Sequence, residues 1–255
     1  MITLNPAITH SSEFRFYAEL NDFLAPPRRQ KTFAYTFNGS PSIKDTIEAM
    51  GIPHTAVDII LVNGTSVDFS HHLSPGDRVS VYPVFESFDV TPLIRLRSEP
   101  LRDPAFILDV HLGKLARMLR MLGFDTLYRN DYDDPEIIRI ARREDRIILT
   151  RDRGILKNSL VTHGYWVRSE RAEEQSREVL EQFDLFRLIK PFSRCISCNG
   201  LLEDISKEKI LDRLPPKTKL AFKEFRICTG CGKIYWPGSH YQAMSDLITR
   251  LTEET

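Results

Sequence analysis

Ala105-Phe106-Ile107-Leu108-Asp109-Val110-His111-Leu112-Gly113-Lys114-Leu115-Ala116-Arg117 is the stretch on which the fold turns. Residues 105–108 are too apolar and too few for anything but a buried strand, and an amphipathic pattern follows at once. Leu112, Leu115, Leu119 and Leu122 recur at spacings of three or four, which predicts a helix laying one apolar stripe on a sheet. Lys114, Arg117 and Arg120 fall on the opposite flank, and Gly123 stops the helix. Downstream the alternation continues. Residues 125–128 predict a second strand, 134–143 a second helix with Ile137, Ile138 and Ala141 inward, and 146–150 a third strand. Residues 165–168 predict a fourth strand and 172–183 a closing helix. Alternating β and α segments of this length argue for an α/β domain: a parallel sheet with helices on both faces, over residues 105–190.

Three aspartates sit at the junctions of this pattern. Asp109 ends the first strand, Asp152 follows the third, and Asp134 opens the helix between them. Strand ends of a parallel sheet converge on one edge, where loops build the ligand site. Clustered carboxylates repel one another, and a hard cation such as Mg or Mn relieves that repulsion. Capping is the competing reading. Asp134 before Pro135 and Glu136 has the form of an ordinary helix N-terminus, and Asp109 and Asp152 can cap as well. Recurrence at consecutive junctions favours the metal reading, although one residue can do both.

Upstream, residues 1–12 are polar and aperiodic, and are expected to fray. Phe14-Arg15-Phe16-Tyr17 predicts a strand, 31–37 a second, and 42–50 a short helix capped by Ser42. Residues 57–62 and 78–82 are two further strands, separated by the hairpin signal Asn63-Gly64 and the turn Ser74-Pro75-Gly76-Asp77. The order ββαββ describes an α+β domain of β-grasp type over residues 12–86. Val62-Asn63-Gly64 and Leu73-Ser74-Pro75-Gly76-Asp77-Arg78-Val79 resemble the small β-grasp sulfur carriers of thiamine and molybdopterin synthesis. Those carriers act through a free C-terminal Gly-Gly. Here the chain reads Tyr82-Pro83-Val84-Phe85-Glu86 and continues, so the resemblance implies a binding or positioning module and not sulfur transfer. Pro92, Pro100 and Pro104 mark a linker over residues 87–104.

All four cysteines lie in the last quarter, as Cys195-x-x-Cys198 and Cys228-x-x-Cys231, followed closely by Gly200 and Gly232. Two matched pairs predict a closed tetrahedral zinc site in a small ribbon over residues 191–255, which also holds a C-terminal helix. The gap between the pairs predicts an inserted helix around 205–214. A thiol redox pair is the alternative. Residues 194–233 carry 9 basic and 5 acidic side chains, with Phe222, Phe225, Tyr235 and Trp236 close by. Basic groups interleaved with aromatics suit RNA, by phosphate contacts and base stacking. Phe222 and Phe225 are expected in the ribbon's own core. Tyr235, Trp236 and His240 are the better RNA contacts.

The 35 basic and 35 acidic residues cancel, so no global attraction to a polyanion exists and any basic surface is local. Residues 1–95 carry 7 basic and 10 acidic side chains, and the remainder 28 and 25. No apolar stretch has the length of a membrane helix and no leader pattern opens the chain, so a cytoplasmic protein with no membrane contact is expected.

Phe106 to Asp109, Leu112-Gly113-Lys114-Leu115-Ala116-Arg117, Leu122-Gly123-Phe124-Asp125 and Leu149-Thr150-Arg151-Asp152 resemble the PIN-like ribonuclease domain named after the C-terminal part of the Mut-seven exonuclease. A β-grasp domain in front and a zinc ribbon behind are similar to a bacterial subgroup of that family. The resemblance implies a hydrolase that cuts RNA with Mg or Mn held by acids at the C-terminal strand edge. By motif position it implies Asp109, Asp134 and Asp152 as catalytic metal ligands, with Thr150 as a supporting hydroxyl. Glu170 stands near the place of a fourth acid, and Asp131 or Asp133 can assist Asp134. Lys114, Arg117 and Arg151 are the cations placed to hold RNA phosphates, Lys114 being equally readable as solvated helix surface. The structural zinc ligands are Cys195, Cys198, Cys228 and Cys231. The runner-up is a non-catalytic RNA-binding adaptor whose β-grasp domain docks on a protein partner. Oligomeric state stays open, although domains of this kind often pair.

Overall fold

Alternation along β1 (Thr9–Phe16) buries Phe14 and Phe16 on one face, and β1 pairs antiparallel with β2 (Phe33–Asn38). This pairing comes from a computed structural model, which describes residues 9–83 and 104–252. The strand takes in Thr9 to Ser12, part of the stretch expected to fray, because Thr9 pairs with Asn38 across the ladder. Helix α1 (Ile43–Ala49) starts where Ser42 accepts a hydrogen bond from Asp45 N, 3.1 Å, as its sequence predicts. Strand β3 (Ile59–Val62) then turns through Asn63-Gly64, both at positive φ, into β4 (Thr65–Val67). That short strand was not foreseen: the hairpin closes on 65–67 and not on 78–82. Strand β5 (Arg78–Tyr82) completes the order β2-β1-β5-β3-β4, running parallel to β1 and antiparallel to β3. Phe14, Phe16, Leu20, Ile43, Ile47, Ile60 and Val81 close the core between sheet and helix.

The described residues divide into two compact units, 9–83 together with 152–165, and 104–151 together with 166–252. Within the first, His54 Nε2 donates to Val161 O at 2.8 Å, so residues of the 152–165 segment pack on the β-grasp fold. The linker expected over 87–104 falls, save for Pro104, outside the described residues.

In the second unit β6 (Ala105–Leu108) pairs in parallel with β7 (Asp125–Leu127) on one side and β8 (Ile147–Thr150) on the other. With β9 (Gly164–Trp166) the sheet order is β7-β6-β8-β9. Every residue of β8 is buried, as a strand covered on both faces requires. Helices α2 (Gly113–Leu122), α3 (Asp134–Glu144) and α4 (Ala172–Gln182) lie over it. Gly123 ends α2 at φ +102, and a Cβ there would stand 2.3 Å from Lys190 O. Arg120, expected on the solvent flank of α2, is instead 4% exposed. Its Nε donates to Thr126 O at 2.8 Å, and its Nη1 to the Ile196 and Ser197 carbonyls. The first cysteine turn covers that flank, a packing that helical spacing alone does not carry.

The ribbon is β10 (Leu202–Asp204), β11 (Arg226–Cys228) and β12 (Ile234–Tyr235), antiparallel in that order. Its insert folds as a 3-10 helix, Lys207–Arg213, followed by α5 (Pro216–Ala221). Ile210, Leu214 and Phe225 form a small core with Phe222 and Trp236 packed on it. Helix α6 (Ser239–Thr252) ends the described chain. No helix among the described residues is long and apolar enough to cross a membrane.

Candidate active site and metal centre

Asp109 leaves β6 at its C-terminal end and is 6% exposed. Its Oδ1 accepts the His111 amide at 2.8 Å, and its Oδ2 accepts the Arg151 amide at 2.8 Å and the Thr150 hydroxyl. A carboxylate that receives three donors is held in one orientation. Asp109 thus caps the turn that follows it, and also stands at the strand edge that the parallel fold predicts for a site.

His111 and Arg151, which hold this carboxylate, also line a cavity of about 900 Å³. Lys114, Arg117 and Arg151, the three cations read from the sequence, all line it, and so does Glu170. Arg171 and Glu173 were missed. Both follow the fourth strand, where no motif marks them, whereas His111 was within reach as the second residue after Asp109. The loops that bring these groups together are built by close contacts. A Cβ on Gly113 would stand 2.7 Å from Tyr128 Oη, so glycine lets Tyr128 reach across and donate to Val110 O at 3.0 Å. Beyond β9, the Glu178 carboxylate accepts the Arg168 and Ser169 amides, 2.9 Å each, and fixes the turn that carries Glu170 and Arg171.

The other two aspartates have different surroundings. Asp133, one residue before the expected cap, takes the Glu136 amide at 2.8 Å, so Asp134 is the exposed first residue of α3 and not its cap. Asp152 is exposed and accepts Gly154 N at 2.7 Å. Their hard carboxylate oxygens suit Mg or Mn in kind. Among the described residues, however, the one group of three or more acid, histidine or cysteine donors within 4.8 Å of one another is Cys195, Cys198, Cys228 and Cys231.

That group fits zinc. The Sγ atoms of Cys195 and Cys231 lie 3.7 Å apart and those of Cys198 and Cys228 3.3 Å, against about 3.8 Å for the edge of a tetrahedron with Zn–S near 2.3 Å. Gly200 and Gly230 back the sulfurs closely, since a Cβ on Gly200 would stand 2.9 Å from Cys228 Sγ. Burial works against ionisation of Cys195, but hydrogen bonds from the Tyr235 hydroxyl and the Cys198 and Ser197 amides bring its thiol down to about 6. Burial pushes the Cys198 thiol up to about 12. Four thiolates leave no open coordination position, so such a site stabilises and does not catalyse. His240 is exposed at the start of α6, outside the cysteine group. Tyr235 and Trp236 are half-buried, the first against Cys195 Sγ at 3.0 Å and the second on the ribbon core.

A parallel α/β domain with a cationic cavity at its strand edge, fused to a β-grasp fold and carrying a four-cysteine cluster, defines the class. The chain belongs to the Mut7-C RNAse domain family, whose model matches residues 104–248, and the Mut7-C ubiquitin model matches residues 9–89 in front of it. Nuclease and hydrolase chemistry follow from that family. No curated protein and no solved structure matches the chain.

Proposed function

We propose that this chain is a ribonuclease that hydrolyses RNA phosphodiester bonds, with the RNA backbone in the cationic cavity and Asp109 at its reacting end. The observation that carries this reading is the convergence of Lys114, Arg117, Arg151 and Arg171 on one cavity. Asp109 is buried behind its wall, held by the amides of the lining residues His111 and Arg151. Lys114 acts as a point charge on a phosphate, and the arginines can hold phosphates by paired hydrogen bonds. The Thr150 hydroxyl and the Arg151 amide hold the Asp109 carboxylate in one orientation. Asp109, Asp134 and Asp152 are the acids proposed to hold Mg or Mn, although the three do not lie within 4.8 Å of one another, and Glu170 supplies a further carboxylate at the cavity. Such a cation, when bound, lowers the pKa of a water and offsets charge on the departing oxygen. The protein acts in the cytoplasm, where reduced thiols retain structural zinc, and its β-grasp fold docks on a protein partner.

A second reading has its own observation. The three hydrogen bonds to Asp109 are what a purely capping carboxylate would have, which favours a non-catalytic RNA-binding adaptor. Incubating the purified protein with a panel of labelled single-stranded and structured RNAs, with Mn and with EDTA, separates the two. Cleavage that EDTA abolishes is the expected result. Binding without cleavage under every metal condition would leave the adaptor.

A further inference from the structure

Helix α6 borders two cavities of the second unit. Leu247 lines the cationic one, while Tyr241 and Met244 line another, of about 690 Å³, walled by Phe192, Phe225, Tyr235 and Trp236. At a rise of about 1.5 Å per residue, Met244 and Leu247 lie about 4.5 Å apart along the helix axis, so the two cavities meet α6 within one turn. Phe192 has φ +58, a left-handed conformation that bulky side chains rarely take. Two hydrogen bonds hold it there: Arg226 Nη1 donates to Phe192 O at 2.8 Å, and Phe192 N donates to Met121 O at 2.9 Å. The result sets the Phe192 ring 4.5 Å from the ring of Tyr241. Strain kept in place by its surroundings is a mark of a functional position.

The chemistry of the walls selects the ligand. Phe192, Tyr235, Trp236 and Tyr241 give it aromatic surface, and Ser206 and Glu224 add polar groups that can meet a base edge. Arg226 is paired with Asp204 at 2.9 Å, and Lys223 offsets Glu224, so the walls are close to neutral. The surrounding segment 194–233 is not, with 9 basic against 5 acidic side chains. A flat, uncharged ring attached to a polyanion suits both features, and that is an unpaired nucleobase.

We propose that the aromatic cavity between the ribbon and α6 is a stacking subsite for an unpaired base of the RNA whose backbone lies in the cationic cavity. This rests on the RNA reading above and gives it a preference for single strands. The chain has two tryptophans, so Trp166→Phe leaves Trp236, in the cavity wall, as the sole tryptophan reporter under selective tryptophan excitation. A short oligoadenylate should change Trp236 emission, and the same strand in a duplex should not. Tyr241, 38% exposed, can be replaced without emptying a core. Tyr241→Ala should weaken oligoadenylate binding about ten-fold by fluorescence anisotropy, within the range that one lost stack gives, and Tyr241→Phe should restore it. Binding with unchanged Trp236 emission and an unchanged Tyr241→Ala affinity would overturn the subsite and leave the RNA reading standing. No binding of any RNA by the unsubstituted protein would overturn both.

Discussion

Asp109 draws two of its three hydrogen-bond donors from residues that the sequence places far away: Thr150 ends β8 and Arg151 follows it, and only His111 is local. Thr150→Val keeps the shape and removes the hydroxyl donor to a buried carboxylate. It should lower stability by about 1–3 kcal/mol in urea unfolding, and an unchanged midpoint would show that the bond contributes nothing. The lining of the cavity was legible at this scale where residues belong to a local pattern. Lys114 and Arg117 were read from their motif, and Arg151 from its place beside Asp152. Arg171 had no such signal, because it reaches the cavity through a turn fixed by Glu178 from the following helix. Arg120 was misplaced for a similar reason: its helical phase predicts solvent, and carbonyls of residues 196 and 197 cover it.

Elements were more legible than their neighbours in space. The apolar run 105–108, the leucine stripe and the Gly123 stop each carry a local physical cause, and β6, α2 and the C-cap follow from them. Adjacent aspartates defeat this kind of reading, since Asp133 and Asp134 both precede Pro135 and only the backbone decides which one caps. Strand β4 was missed because three residues are too few for a period to register. Gly123 tests the helix stop. A Cβ there meets a left-handed backbone and the Lys190 carbonyl together. Gly123→Ala should therefore cost about 2–4 kcal/mol, combining the conformational penalty with overpacking, as read by thermal unfolding. A loss within about 0.5 kcal/mol, the range of an ordinary surface change, would mean the segment at Lys190 gives way freely.

At the scale of the whole molecule, the second unit owes its continuity to a polar latch between sheet and ribbon. Asp125, at the start of β7, meets Arg146 Nη1 at 2.6 Å, Asn199 Nδ2 at 2.8 Å and Arg194 Nη2 at 3.1 Å. Burial raises its pKa, but the hydrogen bonds from Arg146 and Asn199 prevail and hold the carboxyl below its ordinary 3.8. A depressed acid contributes stability that is fully present above that value and is lost as the pH falls below it. Asp125→Asn should accordingly be less stable than the parent at neutral pH, with the gap closing below pH 3.8. A gap independent of pH would assign the effect to packing. The family match extends over the sheet and the ribbon alike, residues 104–248, which agrees with their shared latch. The account stands or falls on Asp109, and the most direct test is cleavage of labelled single-stranded RNA with Mn by the parent and by Asp109→Asn, with circular dichroism confirming that both are folded. The account predicts a loss of about 10²-fold or more with the fold retained. Undiminished cleavage by a folded Asp109→Asn protein would contradict it.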